Sequence, residues 1–314
     1  MACHPHISVL LPTRNRPADL RRCLDSLTTV RYPAWDVLLL DQSDDDRSRM
    51  LAATFAHALP NLSYQRLPER GCSRAYNTGV ALTTGAIVAF LNDDCTVAAD
   101  WLATVAAVFE RHPQAGIVFG SVKRAYAPTE QFIPAYDARI ERRVRGRWSC
   151  LRLGGMGACM YIRRAVAQSV GPFDIRLGPG AYFSSGADDV DYRYRCLARG
   201  YSGVTTPAII VEHHGGRDYA SGAAVHLLRG YAYSAGAMVM KLVRCGEFPA
   251  LLLLAHSWSY LATREPGRCS AGGIAPALAL IAMGVRGMRD SFRFRVDRRR
   301  CLYGDVLQRV ISAE

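Results

Sequence analysis

The sequence predicts an α/β protein, a mainly parallel sheet with helices on both faces, followed by a helical C-terminal region. Three observations carry this. Short apolar runs alternate with amphipathic stretches over residues 6–122. The runs are nearly unbroken, as strands covered on both faces require. The stretches between them space apolar residues three and four apart, the period of a helix.

The elements follow in order. "HISVLLP" (6–12) reads as a strand, and "PADLRRCLDSLTTV" (17–30) as a helix opened by Pro17, with Leu20, Leu24 and Leu27 on one face. "WDVLLLDQ" (35–42) is a strand, 47–59 a helix, 61–67 a short strand and 73–84 a helix. "GAIVAFL" (85–91) is a strand, 99–112 a helix and 115–122 a strand. "ARIERRVRGRW" (138–148), with five arginines, reads as an exposed loop or helix. "GMGACMYIRR" (155–164) enters a strand, 186–201 is a helix with acids in its first turn, and "PAIIVEHHGG" (207–216) is a strand ending on two histidines. Only helical pattern follows from about 220, so residues 1–219 are expected to form one domain and 220–314 a helical region.

Composition narrows the function. Lys and Arg number 39 against 27 Asp and Glu, a net charge of +12 that attracts anions such as nucleotides or anionic lipid. No nucleic-acid motif or aromatic-rich binding strand accompanies that charge, so no nucleic-acid partner is expected. The ten cysteines show neither C-x-x-C spacing nor a zinc pattern, which fits a reducing compartment. The N-terminus lacks the basic region of a signal peptide, and the apolar runs 248–255 and 271–285 are short of a membrane span. A cytoplasmic protein is expected. Phosphate-loop, dinucleotide-fingerprint and G-x-S-x-G patterns are absent.

Three acidic clusters remain: Asp41 with Asp44–Asp46, the adjacent Asp93 and Asp94, and Asp188, Asp189 and Asp191. Each alone is explained by a solvated turn or a helix cap. Together they fall at the carboxyl ends of strands, where open α/β sheets bind ligands. Six segments then appear in a familiar order: "SVLLPTRNRPADLRRCLDSL", "VLLLDQSDDD", "GCSRAYNTGVALTTGAIVAFLNDDC", "GPFDIRL", "ADDVDYRYRCLARGY" and "VEHHGG". Over residues 6–217 the chain resembles inverting glycosyltransferases of the family 2 type.

The resemblance implies a GT-A fold, a nucleotide-sugar donor and a divalent cation, Mn²⁺ or Mg²⁺. It implies Asp94 as the metal acid, with Asn92 and Asp93 facing the ribose or the metal shell. Asp41 matches the acid that meets the nucleotide base, Pro12, Thr13 and Arg14 the loop lining the nucleotide pocket, and Arg74 is placed to reach the diphosphate. Asp189 matches the catalytic base, with Asp188 second, and His213 a histidine near metal and diphosphate. Asp191 reads as a helix cap. The chemistry is consistent. A hard cation on carboxylates neutralises a departing nucleotide diphosphate, and inversion needs a base on the acceptor side.

This chain departs from the family pattern at Asn92, where Asp is common, at Tyr76, where Arg is common, and at Asp188, where Glu is usual. No Q-x-x-R-W segment follows Asp189, so transfer of a single sugar is expected. The acceptor class stays open between a glycan, a lipid-linked species and a small molecule. Val285, Met288, Phe292 and Val296 fall on one face of a helix over 285–300 that also carries seven arginines. That helix suits an anionic membrane surface, or else its stripe packs on the catalytic domain. An idle nucleotide-sugar-binding scaffold and a nucleotidyltransferase are the competing functional readings.

Overall fold

The computed structural model describes residues 4–126, 130–255, 257 and 274–306. In chain order the elements begin with β1 (Ile7–Thr13), α1 (Pro17–Leu27), β2 (Trp35–Asp41), α2 (Arg47–Thr54), β3 (Leu62–Arg66), α3 (Cys72–Leu82) and β4 (Ile87–Phe90). There follow β5 (Cys95–Val97), α4 (Trp101–Arg111), β6 (Ala115–Arg124), β7 (Gln131–Phe132), β8 (Arg142–Arg145), β9 (Met160–Arg163), α5 (Arg164–Val170) and α6 (Asp188–Ala198). The chain closes with β10 (Ser202–His213), β11 (Arg217–Asp218), α7 (Ala223–Arg244), α8 (Ile274–Asp290), β12 (Phe294–Asp297) and β13 (Leu302–Val306).

Nine strands form one sheet in the order β3-β2-β1-β4-β9-β6-β10-β5, with β8 pairing the start of β10 on the edge away from β6, the edge whose far end β5 takes. The first four are parallel; β9 runs antiparallel between β4 and β6, and β6 pairs parallel with β10. Alternate residues of each strand feed separate cores. Val9, Leu11, Val37 and Leu39 pack with α1 and α4 on one face. Leu10, Leu38, Leu40 and Phe90 pack with α3, α6 and α7 on the other. Two-sided burial is why the strands read as continuous apolar runs. On α3, a Cβ at Gly79 would stand 2.7 Å from Leu10, so glycine lets that helix lie close on the sheet.

The structure corrects three expectations. Residues 142–145 are an edge strand on β10, not a loop or helix; Val144 turns inward while Arg142, Arg143 and Arg145 face solvent. Charged side chains are a common guard on exposed strand edges. The short β5, antiparallel to the end of β10, was not anticipated. The helix expected over 285–300 stops at Asp290, and β12 pairs with β13 in a hairpin. Phe292, Phe294 and Val296 alternate with Arg293, Arg295 and Asp297, a period of two that the wider helical spacing obscured. Parts of the expected helical region, 258–273 and 307–314, lie outside the described residues, as do Cys3 and Cys269.

A buried charge cluster ties the C-terminal elements to the rest. Lys241 Nζ of α7 is 2.7 Å from Asp174 Oδ2 and 2.7 Å from Asp191 Oδ1, with all three side chains fully buried. Arg195 pairs with Asp191 at 2.9 Å, and the Tyr303 N–H of β13 donates to Asp174 Oδ2. Asp191 is therefore half of an internal ion pair and not the helix cap expected. The "GPFDIRL" segment is held by Asn77, whose amide both donates to Phe173 O and accepts from its N–H. No helix among the described residues is long and apolar enough to cross a membrane.

Candidate active site

The parallel register brings the ends of β1 and β4 side by side, and the two strands deliver Thr13 and the Asn92–Asp94 turn to one place. Thr13 Oγ1 donates to Asp93 Oδ2 at 2.8 Å. The pairing of β5 with β10 sets Cys95 opposite His213, which brings His213 Nε2 within 3.3 Å of Asp94 Oδ1. Both acids are about 5 % exposed.

Burial acts on the two acids with different results. It pushes Asp93 up to about 6, against the opposing pull of Arg16, with Asp94 adding to the rise. Burial also works to raise Asp94, but the hydrogen bond and charge of His213, with Arg16 and Arg217, outweigh it and hold Asp94 at about 2. Asp94 is thus an anion at every ordinary pH.

The site fits a divalent cation. Asp94, Cys95 and His213 offer ligand atoms within 4.8 Å of one another. The buried His213 Nδ1 has no hydrogen-bond partner among the described residues. A Cβ at Gly215 would lie 2.3 Å from Asp94 Oδ2, so a larger residue would fill the space beside that oxygen. The Asp94 carboxylate suits Mn²⁺ and Mg²⁺, and the His213 imidazole adds a borderline nitrogen ligand.

Two adjoining cavities meet at this point. The first, 420 Å³, is lined by Pro12, Thr13, Arg14, Asn92, Asp93, Asp94 and His213. Arg16, Arg70 and Arg217 also reach it and give it a cationic wall. The second, 330 Å³, is lined by Asp188 and Asp189 and by apolar groups, among them Phe132, Tyr136, Met156 and Met238. Cys72, Asn92, Pro134, Ser185 and Tyr231 border both.

At the start of α6, Asp189 Oδ2 accepts the Gly157 N–H at 2.8 Å, which orients the carboxylate. Asp188 is buried beside it, and burial together with the charge of Asp189 pushes its pKa up to about 7. Gly178, at φ +96°, leaves room for it; a Cβ there would be 2.7 Å from the Asp188 carboxyl carbon.

Two expected donor residues stand apart. Asp41 is fully buried and lines neither cavity. Its Oδ1 accepts the Ser43 N–H and its Oδ2 the Tyr64 hydroxyl, each at 2.8 Å, with Arg66 at 3.5 Å. Arg74 also lies outside both linings and pairs with Glu69 at 2.5 Å. Two departures from the family pattern turn out to be partners: the Tyr76 hydroxyl donates to Asn92 Oδ1 at 3.2 Å. A neutral hydrogen-bonded pair thus joins two of the positions at which this chain departs from the family pattern. Arg16 was not singled out by the sequence, because an arginine ahead of a helix reads as solvated.

The chain is similar to known proteins in sequence and in fold. The profile described as "Glycosyl transferase family 2" matches residues 8–171, over half of the chain. The chain belongs to glycosyl transferase family 2. The glycosyltransferase AglE of Haloferax volcanii is 29 % identical over 63 % of this chain. The match spans 63 % of that relative's own length. A PGL/p-HBAD biosynthesis glycosyltransferase of Mycobacterium bovis is 30 % identical over 67 % of this chain and 73 % of its own. Among solved structures, the mannosyltransferase PcManGT of Pyrobaculum calidifontis, in complex with GDP-Man and Mn²⁺, matches with a TM-score of 0.59 at 20 % identity, over 92 % of this chain and 85 % of that one. S. aureus TarS in complex with UDP-GlcNAc matches with a TM-score of 0.57 at 15 % identity, over 90 % and 81 %. The fold is GT-A, and the chain is a glycosyltransferase.

Proposed function

We propose that this enzyme transfers a single sugar from a nucleotide-sugar donor to an acceptor hydroxyl with inversion, in a reaction that depends on a divalent cation. The observation that carries the reading is the pair of adjoining cavities, one ending on Asp94 and His213 and the other on Asp189. Neighbouring folds solved with GDP-Man and Mn²⁺ and with UDP-GlcNAc support the donor class and the cation.

In this reading Asp94 and His213 hold the cation, which when bound neutralises charge on the departing nucleotide diphosphate. Asp93, fixed by Thr13, shapes the adjoining wall with Asn92. Pro12, Thr13 and Arg14 line the nucleotide side, and Arg70 and Arg217 add positive charge for the diphosphate. Asp189 takes the acceptor proton, its orientation set by the Gly157 N–H. Asp188, held neutral over much of the pH range, limits repulsion at the base. Asp41 supports the nucleotide pocket from beneath, through Tyr64 and Arg66.

Residues 1–219 carry the donor half in this account, and α7 of the 220–314 region completes the acceptor half with Tyr231, Ala235 and Met238. The apolar walls favour an acceptor whose hydroxyl is borne on an apolar body, such as a lipid-linked or aromatic species. A relative named for PGL/p-HBAD biosynthesis supports that direction. The membrane-surface expectation passes to α8. Leu278, Ile281 and Val285 are exposed there, one turn apart, and Arg286 and Arg289 continue the same stripe. Arg286, Arg289 and Arg293 share one carboxylate, the buried Asp290, leaving surplus positive charge beside the apolar stripe. An anionic bilayer surface complements both features.

The test is nucleotide release from UDP-, GDP- and dTDP-sugars with Mn²⁺ and with chelator, with the anomeric configuration of the product read by NMR. Release stimulated by metal with an inverted anomer is expected. A retained configuration, or turnover indifferent to chelation, contradicts the reading.

A further inference from the structure

The acid pair of the donor cavity already carries a cation of the protein's own. Arg16 Nη1 is 3.3 Å from Asp93 Oδ1 and 3.1 Å from Asp94 Oδ2. The other two carboxylate oxygens are engaged elsewhere: Asp93 Oδ2 accepts from Thr13, and Asp94 Oδ1 faces His213. Arg16 therefore sits on the two oxygens that remain, and it lines the cavity with both acids.

Its main chain is fixed while its side chain has room. Arg16 immediately precedes Pro17, which opens α1, and its carbonyl accepts the Leu20 N–H at 3.0 Å. Its side chain is 40 % exposed, against 7 % for each carboxylate. A guanidinium on a long, half-exposed stem can turn from one anion to another within the same cavity, and its fork suits phosphate oxygens as well as carboxylate.

We infer that Arg16 is a built-in counter-cation that holds the Asp93–Asp94 pair and competes with the divalent cation for its two free oxygens, moving onto the donor diphosphate when both bind. The inference rests on the proposed reading of Asp94 as a metal ligand. It has a thermodynamic consequence. A displaced guanidinium is costly alone and is compensated when a diphosphate arrives, so metal and nucleotide bind with positive coupling, and the coupling is reciprocal. Arg16 is a positioning residue in this account, because it acts through the acids.

The experiment is Mn²⁺ binding followed by the EPR signal of the free ion. The wild type, Arg16→Gln and Asp94→Asn are each measured with Mn²⁺ alone and with UDP or GDP added, against protein-free nucleotide controls. With Mn²⁺ alone, Arg16→Gln is expected to bind about fivefold tighter than wild type, the upper range of one partly exposed ion pair. Nucleotide is expected to tighten Mn²⁺ binding more in the wild type than in Arg16→Gln. Unchanged or weaker Mn²⁺ affinity in an Arg16→Gln protein that melts like wild type overturns the role of Arg16, as does equal tightening by nucleotide in both proteins. Undiminished Mn²⁺ binding in Asp94→Asn overturns instead the placement of the metal.

Discussion

At the scale of single residues, Tyr76 and Asn92 are a matched pair rather than two losses. Tyr76 is buried against Phe90 and reaches Asn92 Oδ1. Asn92→Asp alone adds a third carboxylate beside Asp93 and Asp94, and Tyr76→Arg alone adds a buried charge. Each is expected to lower Tm by several degrees, while the double variant recovers part of the loss, with a coupling energy of about 1 kcal/mol in a double-mutant cycle. Strict additivity would contradict the pairing. Asp188 makes a separate prediction. Its neutral form is favoured on folding, so its contribution is full below the usual carboxylate range and is lost as pH rises through about 7. Asp188→Asn removes that loss. It is expected to raise Tm by several degrees at about pH 8, with a gap that narrows toward about pH 5, as thermal melts at both would show. The strand-end positions of Asp93, Asp94 and His213, and that of Asp189 in the first turn of a helix, were legible in the sequence from apolar runs that stop on polar groups; their role in the site is the proposal made above. Arg16 was not, since only the register of β1 against β4 sets it over the acid pair.

Among the elements, those with a strong period were readable and those defined by a partner were not. The strands β1, β2 and β4 announced themselves through unbroken apolar runs, and α1 and α4 through their apolar faces. β5 has three residues, and β8 is an arginine-rich edge; each is a strand because β10 offers it hydrogen bonds, information that lies more than 50 residues away in the chain. The cost of missing β5 falls on the site, since that pairing places His213. Asp41 shows the same limit. Its position at the end of β2 was readable, but its burial under Tyr64 and Arg66 was not. For α8, co-sedimentation with phosphatidylglycerol vesicles is expected, with weak binding to neutral vesicles. Arg286→Glu with Arg289→Glu, or Ile281→Asp, should reduce vesicle binding by about tenfold or more without changing donor hydrolysis. Binding that ignores these substitutions contradicts the bilayer as partner, and a concentration-dependent dimer lost in Ile281→Asp would assign the stripe to a second copy.

In the whole molecule, α7 and β13 pack into the same interior as the sheet and α6. Two carboxylates, Asp174 and Asp191, are balanced at the buried junction by Lys241 and Arg195. Removing one partner of such a cluster strands charge in the interior. Lys241→Ala is expected to cost about 3–5 kcal/mol and to lower Tm by about 10 °C, which a thermal melt would report. Because α7 also lines the cavity proposed for the acceptor, partial unfolding there should abolish transfer before donor binding. In the proposed mechanism the cleft divides into a metal-bearing donor half and a base-bearing acceptor half. Calorimetry of donor binding with Mn²⁺, run beside transfer assays on Asp94→Asn and Asp189→Asn, tests this division most directly. Asp189→Asn is expected to keep donor affinity while transfer falls about 10²- to 10⁴-fold, and Asp94→Asn to lose the metal-dependent donor binding itself. Donor binding lost in Asp189→Asn and retained in Asp94→Asn, or transfer intact in either folded variant, would contradict it.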